Sequence, residues 1–593
     1  MTFKRLAAVA AFVFALLAAP AAAPAAVTVG AYKIISSLPA TGVPPDGPST
    51  LQAGANPDAG SYSKFAYPNG TEDIKTALTN FGPGLLGNPE AVPKCPEANL
   101  QAGTCPADTQ IGTSRLEAVV AGTNSPAGAP NPGIVYNAEP LGNEPGRLGI
   151  RTTTAFGVLV SSIPFEITPR GASDYGLTGT LTDINRLSSP PFPFNLQVAS
   201  LSFLLNGATT KYVRNPTSCV PSTATGQAIG YDDPTVTDSP PYTFTPTGCD
   251  SVPFAPTVTM QIGDRGTTKQ NGYPPFVLKI NQPSGSADLR DTKLTLPTVL
   301  NTNNSAYKLC TEAQAAADSC PSNSQFGFSV AKSPFLAEEL RGPVYLLSQS
   351  GRSLPGLLVD LNGRAHVKIR TTTSLVNNTQ IQSLATDSPQ LPVSELRIAL
   401  NGGKNTGVFT NRKDLCFKGG SSSEFRKVNA VSKLTGWNGK NTGDVKFAAS
   451  VLGCGPGVSA RLTGATSSRP RLTVTVEKHT DAPNLKELEL TLSDNLRLVK
   501  SRLSSGATGT AAVNLAGANF SYVSSKKLKV TGLPAAGTGK VTIRLSRGAV
   551  RVSDRSKDLL RRGKSRTFKV KATQTPVTGS ATSTGASFKV KGR

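Results

Sequence analysis

The chain has 593 residues, a net charge of +24, 38% hydrophobic residues and 17% charged residues. That length exceeds what one core usually holds, so several domains are implied. Its 57 Gly and 46 Pro fall well short of the share that marks a disordered low-complexity chain, and coiled coil and collagen are excluded.

In chain order, Lys4 and Arg5 precede an apolar run from Leu6 to Ala19, and Ala23-Pro24-Ala25 follows. This is the layout of a secretory signal peptide over residues 1–25. The apolar run is short of the ~20 residues that span a bilayer, and nothing later in the sequence is long and apolar enough, so the mature chain is expected outside the cytoplasm with no transmembrane segment. The eight cysteines fall as neighbouring pairs: Cys95/Cys105, Cys219/Cys249, Cys310/Cys320 and Cys416/Cys454. An even count on a secretory route reads as four structural disulfides. Zinc is disfavoured, because there is no C-x-x-C and the two histidines lie far from the cysteines.

Residues 71–112 match 286–327 without a gap. Asp73 answers Asp288, Phe81 answers Leu296, Cys95 answers Cys310, Cys105-Pro106 answers Cys320-Pro321, and Gln110-Ile-Gly112 answers Gln325-Phe-Gly327. Further landmarks persist with drifting register. Gly133-Ile-Val-Tyr136 answers Gly342-Pro-Val-Tyr345, Ile150-Arg-Thr-Thr-Thr154 answers Ile369-Arg-Thr-Thr-Thr373, and Val198 to Gly207 answers Val393 to Gly402. The implied division is 26–256, 257–463 and 464–593, two long copies and a basic terminal unit. That last unit reads as a partial third copy, because Pro483 to Leu492 resembles the segment around Asp288 to Leu296.

Within the copies the apolar period is two. Leu472, Val474 and Val476 alternate, as do Ala365, Val367 and Ile369, and Val541, Ile543 and Leu545. Such alternation marks half-buried antiparallel strands, and frequent Pro, Gly, Asn and Asp clusters break them into short pieces. The fold class is therefore all-β: tandem antiparallel β-sandwich domains with short helical turns bounded by disulfides. Thr311–Asp318 and Pro96–Leu100 are the helical candidates.

The segments Phe81-Gly-Pro-Gly-Leu-Leu-Gly-Asn-Pro89, Lys94-Cys-Pro-Glu-Ala-Asn-Leu100 and Thr104-Cys-Pro-Ala-Asp-Thr-Gln-Ile-Gly112 resemble a signature of large secreted β-rich repeat proteins of high-GC Gram-positive bacteria. With the second copy, the resemblance covers most of residues 50–463. It implies fold and export, not an activity. The second copy departs from it in having Thr311 where Pro96 stands.

Catalytic patterns are sparse. There is no G-x-S-x-G elbow. Ser493-Asp-Asn495 occurs beside Ser61-x-x-Lys64 and Ser329-x-x-Lys332, but K-T-G is missing and Ser493 aligns with a strand end. Gly563-Lys-Ser565 lacks the upstream glycine of a P-loop, and no cofactor motif appears. His366, aligned with Arg147, and His479, in the turn Lys478–Asp481, read as exposed surface residues. Asp174, Asp232 and Asp233 are the loop carboxylates a glycosidase or a calcium site would use, with turn formation the plainer reading. Tyr175, Tyr231, Tyr242 and Trp437 are the aromatics a glycan groove would use.

The clearest functional signal is charge. Residues 526–593 hold 18 Lys and Arg against 2 acidic residues. Lys526, Lys527 and Lys529, and Arg561, Arg562, Lys564 and Arg566, are the densest runs. Phe568-Lys-Val-Lys571 and Phe588-Lys-Val-Lys591 read as strands with a cationic face. The expected partners are anionic cell-wall glycans or polymers. Nucleic acid is disfavoured by export and by an aromatic content of 6%, which is low for a stacking platform. These observations lead to a non-catalytic secreted protein of the cell envelope, structural or adhesive, anchored by its basic end. The alternative is a carbohydrate-binding protein or glycoside hydrolase on the same β-sandwich scaffold.

Overall fold

A computed structural model describes residues 26–38, 44–68, 70, 72–123, 125–154, 157–169, 175–184, 186, 196–303, 308–351, 354–377, 379–504, 511–515 and 517–592. The signal-peptide reading and Asp174 lie outside the described residues. The fold is all-β, built almost wholly from antiparallel pairs. Strict alternation makes the strands. Leu472, Val474 and Val476 are buried along Arg471–Glu477, and Phe276, Leu278 and Ile280 along Phe276–Asn281.

The first two units share one pairing scheme. In the first, the order is Thr28–Ile35, Ala59–Ala66, Leu196–Leu205, Gln110–Val120, Asn131–Ala138, Arg147–Thr154, Gly157–Pro169, Tyr175–Leu181, Ile74–Asn80, Ser222–Gly230, Thr237–Asp238. In the second it is Thr257–Ile262, Phe276–Asn281, Glu395–Leu400, Gln325–Lys332, Leu340–Leu347, Gly356–Leu361, Val367–Val376, Gln380–Ala385, Leu289–Thr295, Asn429–Gly436, Val445–Ala448. The second sheet then closes on itself. Val445–Ala448 pairs with one edge, and the adjoining Ser450–Val451 runs parallel to Thr257–Ile262 at the other. Closure removes the exposed edges that would otherwise template aggregation.

Among its described residues the terminal unit uses the same scheme with one hairpin missing. One sheet runs Gly457–Thr463, Arg471–Glu477, Lys540–Leu545, Ala511–Val513. The other runs Asn519–Ser524, Lys527–Thr531, Leu485–Leu492, Arg566–Pro576, Thr582–Val590. Removing Leu340–Leu347 and Gly356–Leu361 from the second unit's order leaves the same four-plus-five arrangement. The expected boundary between 463 and 464 falls inside the hairpin of Gly457–Thr463 with Arg471–Glu477, so this sheet begins before it.

One sequence landmark is overturned. Ile150 lies on Arg147–Thr154, whereas Ile369 lies on Val367–Val376, one strand further along the shared order. The pairings Val135↔Ile150 and Val344↔Val359 place Val359 opposite Ile150 in the comparison of copies. The repeated Ile-Arg-Thr-Thr-Thr is coincidence among alternating strands.

The four disulfides join Cys95–Cys105, Cys219–Cys249, Cys310–Cys320 and Cys416–Cys454, with Cα atoms 5.4, 6.0, 5.1 and 5.6 Å apart. Inside the two short loops sit the helices Glu97–Ala102 and Glu312–Ala316. Thr311 builds a capping box with Gln314, each side chain taking the other's backbone N–H, whereas Pro96 offers no side-chain cap. That is the physical content of the Thr311 departure.

The first two units are latched together. The Arg214 guanidinium donates to the Asp288 carboxylate at 3.0 Å, and Thr217 lies against the same group. Tyr175 of the first unit packs in the second unit's core, and its hydroxyl accepts from the Lys368 N–H at 3.0 Å. No helix among the described residues is long and apolar enough to cross a membrane.

Candidate functional site: the cationic terminal unit

Phe568 and Val570 are buried while Lys569 and Lys571 are exposed, so Arg566–Pro576 turns one lysine-bearing face to solvent. Lys569 stands opposite Ser587 on Thr582–Val590, and Lys571 opposite Gly585. Lys589, two residues beyond Ser587, shares that face and is exposed. Cross-strand diagonals of this kind hold side chains ~7–8 Å apart. Among the described residues, Lys569, Lys571 and Lys589 enter no ion pair, and hydroxyl residues surround them. Such a face offers mobile ammonium groups and hydroxyl donors to an anion.

The dense run at 526–529 is different. Lys526 pairs with Asp494, Lys527 with Glu489 at 2.9 Å, and Lys529 with Glu487 at 3.0 Å. The hydrogen bond from Lys526 holds the Asp494 carboxyl below its ordinary pKa. These lysines are spent on cross-strand pairs, which contribute little stability each but cancel the charge. Of the second run, Arg562 and Lys564 are exposed, Arg561 lies 3.7 Å from Asp558, and Arg566 is half-buried with its Nε lacking an acceptor. The opposite sheet adds a row that charge density alone does not reveal. Arg461 and Arg544 flank Thr473, and Arg471 stands opposite Thr463. All three arginines are exposed. Strand alternation was the signal that could have found them, and it also marks Lys569, Lys571 and Lys589.

The other candidates resolve into structure. Asp232 pairs with Arg186 at 2.7 Å, and that guanidinium stacks 4.5 Å over the Tyr231 ring. Asp233 caps the Thr235 N–H, and the Asp232 and Asp233 amides both donate to the buried Glu72 carboxylate. This loop is held by an internal anion nest. Tyr175 is buried, and Tyr231, Tyr242 and Trp437 are half-buried, the Trp437 indole donating to the Ser388 carbonyl. None of the four forms an open stacking platform.

Of the two histidines, His366 is exposed as expected, its Nε2 2.7 Å from Asp360, with Asp318 nearby. Lys368 meets Asp318 at 2.6 Å and so supplies the counter-charge that a divalent cation would otherwise bring. The alignment of His366 with Arg147 fails with the displaced landmark. His479 is not a surface residue: it is 2% exposed, and its ring meets Phe425 edge-on at 4.8 Å. Burial depresses its pKa, with Asp481 opposing the shift. A turn folded against the neighbouring unit is buried whatever its local polarity.

The chain matches no family model and no curated protein sequence. It is similar to the solved structure of a putative membrane anchored protein from Corynebacterium diphtheriae, at 8% identity over 95% of this chain and 92% of that one, with a TM-score of 0.15. It is also similar to the B domain of a biofilm associated protein, at 10% identity over 56% and 85% of the two chains, TM-score 0.16. A tetra-tandem repeat in the extending region of a large adhesion protein covers 95% of this chain and 100% of its own, at 10% identity and a TM-score of 0.12. Scores this low lie beneath the level of a shared fold.

Proposed function

We propose that this is a non-catalytic extracellular scaffold protein that attaches to polyanionic polymers of the cell envelope through the sheet faces of its terminal unit. The observation that carries this reading is the unpaired trio Lys569, Lys571 and Lys589 on one exposed face, beside lysines whose charge is already cancelled. Four disulfides suit an oxidising compartment. Attraction between exposed charges is long-ranged but screened, with a Debye length of ~10 Å at 0.1 M salt.

The test is retention of the full chain on teichoic-acid-bearing cell walls. Replacing Lys569, Lys571 and Lys589 by Gln is expected to weaken retention at least tenfold and to flatten its salt dependence. The same change at Lys526, Lys527 and Lys529 is expected to do much less. Equal effects from the two triplets would sink the proposal. Removing 526–593 is a poor test, because it strips strands from both sheets of the unit.

A further inference from the structure

The interior of the second unit is hollow. A cavity of about 180 Å³ lies within its closed sheet, walled by Leu278, Leu294, Val359, Val367 and Leu396. Leu86 and Tyr212 of the first unit also line it. In the first unit, with the same strand order, a void of about 30 Å³ lies among the described residues. Exchanges between the copies run both ways, Ala59 and Val213 at the small void answering Phe276 and Phe409 at the large one. Phe81 and Phe203 line the small void, whereas their counterparts Leu296 and Ile398 line the large one. The Phe203–Ile398 equivalence follows from Leu205 and Leu400 facing Gly112 and Gly327.

Protein interiors rarely keep voids larger than a water molecule, and an apolar one stays dry. This hollow exceeds the ~150 Å³ of an engineered apolar cavity that takes up benzene. Among the described residues of the lining, Lys332, with Ser333 beside it, is the one charged residue. Lys332 is exposed, with its Nζ 3.2 Å from a Glu339 carboxylate oxygen, so it sits where the hollow meets solvent and an anionic head would have to displace that carboxylate. We infer that the second unit binds the alkyl chain of a single-chain amphiphile, a fatty acid or a lysolipid, with the tail inside and the anionic head at Lys332. Ligand pockets elsewhere combine the same two parts, an apolar lining and a few placed polar groups.

Titration of the full-length protein with cis-parinaric acid tests this. One equivalent is expected to enter with a saturable rise in fluorescence, and Leu296→Phe with Ile398→Phe, which adds bulk at two lining positions where the first unit has phenylalanine, is expected to weaken uptake at least tenfold. Palmitate and lysophosphatidylglycerol, both anionic, as separate competitors distinguish a free acid from a lipid ester, since the better competitor names the source. No saturable uptake, failure of both competitors, or undiminished uptake by the folded double variant would each overturn the inference. Should that variant not fold, Ser383→Leu, which intrudes on the same hollow from Gln380–Ala385, is read in its place, together with the stoichiometry of the unmodified chain.

Discussion

Replacing Asp288 by Ala should loosen the joint between the first two units more than any surface change. The Asp288 side chain is 1% exposed and its partner Arg214 11% exposed. Asp288 accepts from the Arg214 guanidinium at 3.0 Å and lies 3.4 Å from the Thr217 hydroxyl. Deleting one partner of a buried pair leaves an uncompensated charge and costs about 3–5 kcal/mol. That is about two to three and a half decades in the folded-to-unfolded ratio, at ~1.4 kcal/mol per decade. The assay is built in. Trp437 is the single tryptophan, and its N–H donates to the Asp288 carbonyl at 2.9 Å. Urea unfolding followed by its fluorescence should show a lower midpoint with an unchanged slope. The double change Arg214→Leu with Asp288→Leu should recover most of the loss, because it removes the desolvated charges together. A loss below about 1 kcal/mol for Asp288→Ala would refute the reasoning, since it would give this pair the weight of a surface ion pair.

Three further outcomes are expected. Burial holds the Tyr32, Tyr67 and Tyr212 phenols far above their ordinary range, so an absorbance titration should leave these three of the 12 tyrosines protonated until the fold opens. His479 has a folded pKa below its unfolded one, so the unfolded chain takes up the extra proton first. Stability at the junction of the second and terminal units should be complete above about pH 6.5 and fall below it, and His479→Phe should flatten that slope in a thermal-unfolding series. Thr311→Ala removes the capping box of Glu312–Ala316 and should cost about 1 kcal/mol, seen as faster amide exchange at Gln314 alone among the strands and loops around it.

Much of this architecture is written in local pattern. Period-two alternation marks Arg471–Glu477 and Arg566–Pro576 because one face of each is buried, and cysteine spacing marks the two helical loops. The failures share a cause. Ile150 and Ile369 misled because strands of one sheet are chemically alike, so similarity cannot say which strand is which. His479 misled because a polar turn is buried by a neighbour far along the chain. Lys527 and Lys529 looked free because Glu489 and Glu487 lie about 40 residues away in sequence and face them only through cross-strand register. The hollow was illegible, since Leu and Ile read the same whether they fill a core or line a void.

The missing hairpin of the terminal unit explains where the short disulfides sit. The Cys95 N–H donates to the Asn137 carbonyl, and Glu139 returns a bond to the Cys95 carbonyl. In the second unit Cys310 makes the same pair of bonds with Leu346 and Ser348. Each cystine loop is thus docked on the end of Asn131–Ala138 or Leu340–Leu347, the hairpin that the terminal unit lacks, and that unit has neither hairpin nor cysteine. Loop and hairpin are one module, inserted between two sheets that can also form without it. If so, replacing Cys310 and Cys320 by Ser should act locally. A bridge with a sequence separation of 10 restricts the unfolded chain by about 3 kcal/mol in the loop-entropy picture. Amide exchange should quicken along Leu340–Leu347 and Gly356–Leu361, while Gly457–Thr463 and Leu485–Leu492 keep their protection. Loss of protection spreading into the terminal unit would mean that the cystine loop serves the whole chain, and the modular reading would fail.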